Sequence, residues 1–235
     1  MERKLKISSN IIAIALAIAA ACHAQTPKAT VKSEEIIKNL IAGKSIQIRN
    51  AIIEGDLDLG KAGNRFPVNS TASETQVSGN VYFEKCVFNG NVKAENVRFS
   101  GNVIFLESEF RKEVEFQNSS VFGMMNFSKS IFKGKAVFAN MAVWAKNSYF
   151  SEIKASSKFS LEASDFQGNL SIMNSEFTGP LSLQETFVAG NLQASNAKFN
   201  GSTDFAMLNV LRRAIFKYAT FKNMPDFSGS KIIKE

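Results

Sequence analysis

Histidine is almost missing. Among 235 residues only His23 carries an imidazole, and it stands beside an apolar leader. A folded body without histidine has no Ser-His-Asp or Cys-His catalysis, and most zinc sites go with it. Cysteine is nearly as scarce, with Cys22 and Cys86 alone. Cys22 would be lost or blocked on export, so Cys86 has no partner for an internal disulfide, and stability must come from packing and backbone pairing. One Trp and three Tyr stand against 21 Phe. Nearly all the aromatics therefore lack a polar handle, which points to packing rather than ligand contact.

Long apolar runs are also missing. The N-terminus reads as an export signal, with basic MERKLK, apolar IIAIALAIAAA and then small residues before Gln25. The apolar run is too short to span a bilayer, and no later stretch is long enough. Cleavage after Ala24 makes residues 1–24 a signal peptide and 25–32 a linker. Ala19-Ala20-Ala21-Cys22 also resembles a bacterial lipobox, which would remove 1–21 and leave Cys22 acylated as a lipid anchor, the only membrane attachment expected. Either cut lowers the formal charge from +7 to +5, a mild basic excess that serves solubility. The destination is the periplasm, the cell surface or outer membrane, or the medium.

What the chain has in plenty is a period. From Val77 the apolar positions advance by alternating steps of six and five through Phe83, Phe88, Ala94, Phe99, Phe105 and Phe110, and onward to Phe227 and Ile232. One extra residue is placed near Ala139-Asn140-Met141, so the next slot becomes Trp144, facing inward. Steps of five and six put successive Phe on separate faces of a helix, and a glycine recurs two residues after every second slot, as at Gly79, Gly90 and Gly101. Each glycine would cost a helix about 1 kcal/mol relative to Ala. The helix fails and short strands remain. Residues two before each slot share its face in an extended segment. They are alternately apolar (Val81, Val92, Val103, Val114) and small (Cys86, Ser108, Ser119, Ser130, Ala142). Gly-Asn pairs such as Gly90-Asn91 then mark corners by tolerating the left-handed conformation.

Segments of five and six residues, with a large residue inward and a small one two before it, resemble the bacterial pentapeptide-repeat proteins over about Ile46–Leu59 and Val77–Ile232. The resemblance implies an all-β, right-handed, quadrilateral parallel β-helix over 44–235. With one residue added to every second unit, a coil holds 22 residues. Seven coils from Val77, at about 4.8 Å each, give a rod about 34 Å long.

A solenoid needs its ends covered. Residues 33–43 are predicted to form an N-terminal capping helix, with Ser33 as N-cap and Gly43 as stop. Residues 60–76 are an irregular loop, and since Leu59 to Phe83 exceeds one coil by two residues, a small bulge is expected. No cap is evident at the C-terminus, which suggests self-association there, an unidentified protein partner, or cover by Lys231 and Lys234.

Little chemistry presents itself. Cys86 occupies a small-filler slot. Glu107, Glu109, Glu113 and Glu115 lie close in sequence but among Arg111 and Lys112, a solvated face more than a glycosidase pair. The glycines follow the repeat, not a phosphate-binding motif. No catalytic residue, metal or cofactor is expected. Arg111 and Lys133 are one coil apart, and Lys135 and Lys158 match across the extra residue, giving a modest basic strip as the candidate interaction site. The leading reading is an exported, non-enzymatic scaffold or protein-interaction solenoid of the bacterial envelope. The alternative is a carbohydrate-binding or carbohydrate-acting β-helix, disfavoured because Trp144 and most aromatics are assigned inward. A third, the DNA mimicry by which some family members protect DNA gyrase, needs an acidic cytosolic surface, and no nucleic-acid partner is expected.

Overall fold

The computed structural model describes residues 28–67 and 73–233. The leader, its cleavage site, Cys22 and Lys234 lie outside these residues. The chain winds into a parallel β-solenoid of about nine turns with four walls, whose sheets hold nine, nine, eight and seven strands.

Following the chain, the first wall begins with β2 (Ile46–Arg49), the second with β3 (Ala51–Glu54), the third with β4 (Leu57–Asp58) and the fourth with β6 (Ser73–Val77). Val81 pairs with Val103 and Phe83 with Phe105, so the coil holds 22 residues. Phe83, Phe88, Phe99, Phe105, Phe110 and Phe116 are all at most 1% exposed. Along one wall their rings stack at the coil spacing: Phe83, Phe105 and Phe127 follow at 5.0 Å each.

The two kinds of corner differ from the sequence expectation. The glycines at Gly79, Gly90 and Gly101 do not have positive φ; in this series the left-handed residues fall on the other corners, at Lys85, Asn96, Glu107 and Asn118, eleven apart. Glycine is needed for a different reason. A Cβ on Gly90 would stand 2.2 Å from the carbonyl oxygen of Gly55 in the coil below. A five-residue step turns tightly enough to need one left-handed residue, whereas a six-residue step turns without one but brings two backbones together.

The left-handed corners carry whatever residue the coil supplies, because each N–H there is held by the next coil: Asn96 donates to Gln117 O at 3.0 Å and Ala163 to Gln184 O at 2.9 Å. An Ala at φ 51° costs about 1–2 kcal/mol that Gly does not. Ala163→Gly should therefore raise the melting midpoint by roughly 2–4 °C, read by thermal circular dichroism; a drop would show that the left-handed corner is not strained.

Small residues two before the slots do more than make room. Ser175 Oγ accepts from Ile153 N at 3.2 Å and donates to Phe150 O at 2.9 Å, tying its coil to the preceding one. Ser130 does the same for Ser108 N (3.0 Å) and Phe105 O (2.7 Å). These hydroxyls satisfy backbone groups that the turn leaves inside the rod.

The N-terminal end departs from expectation in two places. Residues 29–32, assigned to a linker, form strand β1 (Ala29–Lys32), which pairs with β3 on the edge of the second wall. Helix α1 (Ser33–Ile41) follows at once, so Lys32 and not Ser33 is its N-cap, and no side chain caps it. Gly43, at φ +73°, ends the helix; its N–H donates to Leu40 O and that of Lys44 to Asn39 O, the paired bonds of a Schellman motif. Ile36 and Leu40 close the end of the core, at 1% and 3% exposure.

The irregular segment is larger than a bulge. Ile48 stands opposite Phe83, 35 positions on, so the first coil carries thirteen more residues than the 22 of the next. They build an antiparallel hairpin in which β5 (Asn64–Pro67) pairs with β6 and occupies the outer edge of the fourth wall. Leu59 lines the third wall and Phe83 the first, so the distance between them does not measure one coil.

The extra residue near the middle also moves. Val121 pairs with Val143, 22 on, but Met125 with Ser148, 23 on. The insertion therefore lies within Trp144–Asn147, not at Ala139–Met141. Val143 takes the inward slot and Met141 the place two before it, at 0% and 2% exposure, while Trp144 turns outward, 55% exposed.

Candidate functional site: the outer walls

With the interior filled by side chains, only the outer walls and the two ends can meet another molecule. The predicted basic strip lies at the corner between the second and third walls. Arg111 Nε is 3.0 Å and Lys133 Nζ 2.7 Å from the same Glu109 oxygen, and Arg111 also donates to Asn89 Oδ1 at 3.0 Å. Lys158 pairs with Glu162 at 3.3 Å. Lys135 is exposed and makes no ion pair among the described residues. The structure thus brings Arg111 and Lys133 together on one carboxylate and leaves Lys135 as the one residue of the four without an ion pair among the described residues.

The hydrogen bonds from Lys133 and then Arg111 hold the Glu109 carboxyl below its ordinary range. Its charged form is favoured by folding. That contribution is full above the usual glutamate pKa of about 4.3 and is lost as the pH falls through the lower folded value. Glu109→Gln should therefore flatten the acid side of a plot of melting midpoint against pH; parallel curves for the two proteins would contradict the pairing.

Of the other carboxylates, Glu115 pairs with Lys93 at 3.3 Å, and Glu113 is exposed, its backbone N–H donating to Asn91 Oδ1 at 3.2 Å. Cys86 is 1% exposed; burial pushes its thiol pKa up, and its Sγ lies 3.4 Å from Glu84 O, within reach of a donated S–H bond. Nothing there activates a nucleophile. Among the described residues, no three His, Cys, Asp or Glu side chains gather as metal ligands.

The far end of the rod has a different surface. Arg212, Arg213, Ala214, Ile215, Phe216, Ile232 and Ile233 line an open hollow of about 620 Å³. Ile232 and Ile233 are 44% and 50% exposed, Tyr218 is 74% and Met224 is 95%.

Four walls of in-register strands, a 22-residue coil and a core of stacked Phe define a quadrilateral β-solenoid. Residues 72–120 match the family model described as pentapeptide repeats, nine copies. The same ladders run on unbroken to Ile232, and the match together with this fold is consistent with a pentapeptide-repeat protein. No curated protein and no solved structure matches it.

One surface feature escaped sequence reasoning. The outward aromatics Phe122 and Trp144 sit on the corner between the fourth and first walls; spacing places Val121 inward beside Phe122 correctly, but the adjacent pair Val143-Trp144 hid which of the two faces in. The missing glycine at Ala145, in the place of Gly101 and Gly123, was the available signal.

Proposed function

We propose that this protein is an exported, non-enzymatic scaffold of the bacterial envelope, holding a protein partner on its walls and a second copy at the C-terminal end. The observation that carries the reading is the division of labour in the rod. The interior is a continuous stack of apolar side chains, and the outward positions of the same strands vary freely in charge and size without disturbing the coil. Such a surface suits recognition. The hollow between Arg213, Phe216 and Ile232 offers apolar area of the kind that protein contacts cover.

Fractionation of the native cells with intact-mass measurement tests the export step. A chain starting at Gln25, or at an acylated Cys22, in the envelope or medium is the expected result; an uncleaved chain in the cytosol overturns it. Light scattering on the mature chain tests the pairing. A dimer that becomes a monomer in Ile232→Asp is expected, and a monomeric wild type excludes it. Crosslinking in cells from Lys135 tests the wall and identifies the partner.

A further inference from the structure

The one tryptophan of the chain faces water at a corner of the rod. Phe122 and Trp144 hold the same outer position one coil apart, 42% and 55% exposed, with Met124 beside them at 42%. Their rings lie 6.1 Å apart with 10° between the planes. Arg98, from the coil before, places its guanidinium 4.6 Å from the Phe122 centroid. A cation, a benzene ring and an indole thus climb the wall in successive coils, a rigid stack with little freedom left to lose on binding.

The stack ends at Trp144. The same outer position in the next coil belongs to Gln167, and its amide is turned away to Asp165, Nε2 donating to both carboxylate oxygens at 2.8 and 3.0 Å. One coil further the position holds only Ala189. At this outer position the protein places no ring or cation in the two coils beyond the indole, although Lys146 is exposed at the same corner and Phe187, half-buried, stands opposite Asp165 one coil on. The layer beyond the indole is bordered by a carboxylate and an amide fixed to each other, then by a methyl group. The single residue that breaks the coil's register lies at this corner, within Trp144–Asn147.

We propose that this ledge is a saccharide-binding subsite. A pyranose ring fits the chemistry because it has an apolar C–H face and a rim of hydroxyls. The face takes the next layer over the indole. The hydroxyls meet Asp165, which accepts, and Gln167, which accepts and donates. The Asp165 carboxylate at the open layer disfavours a phosphate-bearing ligand, so a stacked nucleobase fits less well. Most aromatics do face inward, but Trp144, whose inward assignment also counted against glycans, faces outward.

Trp144 is the only tryptophan, so indole emission reports this ledge without a label. The full chain is titrated with β-1,4-linked N-acetylglucosamine oligomers, cellohexaose, maltohexaose and soluble peptidoglycan fragments, with calorimetry in parallel. The expected result is a saturable emission change with at least one glycan. Trp144→Ala should weaken that binding about tenfold or more with an unchanged melting midpoint, and Asp165→Asn or Gln167→Ala should weaken it several-fold. The proposal is overturned by the absence of binding across the panel or by binding that survives Trp144→Ala. None of these outcomes bears on cell fractionation or on pairing at the C-terminal end, so the two readings fail separately.

Discussion

Phe127→Ala should lower stability by about 3–5 kcal/mol, and Phe127→Asp should leave no folded protein. Phe127 is 0% exposed and is surrounded by six rings: Phe105 and Phe138 at 5.0 Å, Phe150 at 5.4 Å, Phe116 at 5.7 Å, and Phe110 and Phe132 at 6.1 Å. Removing the ring leaves a cavity that the coil cannot close, because the wall strands are fixed by ladders above and below. A carboxylate at the same place has neither water nor a cation, and the cost of burying it exceeds what one domain has to spare. The outward neighbour Asn126 ends the short strand Met125–Asn126 just before Phe127, and Asn126→Asp should fold normally. Urea unfolding followed by circular dichroism reads all three. Similar midpoints for Phe127→Ala and the wild type would mean that the Phe column is not the core.

Gly90→Ala comes next in size. At most sites replacing Gly by Ala reduces the entropy of the unfolded chain and stabilises. Here the backbone angle is ordinary, but a Cβ would stand 2.2 Å from Gly55 O, 2.5 Å from its carbonyl carbon and 2.7 Å from Asp56 N. All three are backbone atoms, and they move only if the two coils part. Separation would lengthen the neighbouring bond from Leu57 N to Asn91 O, now 2.8 Å. A loss of about 2 kcal/mol or more is expected, at the upper end of ordinary overpacking. Unchanged stability would restore the reading of these glycines as conformational corners.

Much of the rod was legible in the chain because the interior repeats one demand every eleven residues. Phe88 and Phe99 announce themselves by spacing alone, and the small residues Ser108, Ser119 and Ser130, two before Phe110, Val121 and Phe132, follow from the pleat. Where two apolar residues stand together, spacing loses its power. Val143-Trp144 offers two fillers for one slot, so the extra residue was placed a corner too early and the tryptophan was turned inward. Glycine had two physical uses, left-handed angle and close approach, and composition alone cannot separate them; Asn96 and Lys85 hold the left-handed angles instead. The hairpin from Asn64 was hidden because β5 joins the edge of the fourth wall antiparallel to β6, outside the winding of the coil, and obeys no period. The basic strip was legible as a register, with Arg111 and Lys133 one coil apart, but its neutralisation by Glu109 depends on side-chain direction.

The most direct test of the central claim, that the eleven-residue period winds a four-sided coil of 22, is a thiol-accessibility scan. Single cysteines are placed from residue 97 to 105 in a chain whose Cys22 and Cys86 are changed to Ser, and their labelling rates are measured under native conditions. The four-sided coil predicts fast labelling at 98, 100, 102 and 104, protection at 97, 99, 103 and 105, and the same alternation for 119 to 127, one coil on. Protection repeating every three to four residues, as on a helix, or uniform labelling across both windows, would contradict it.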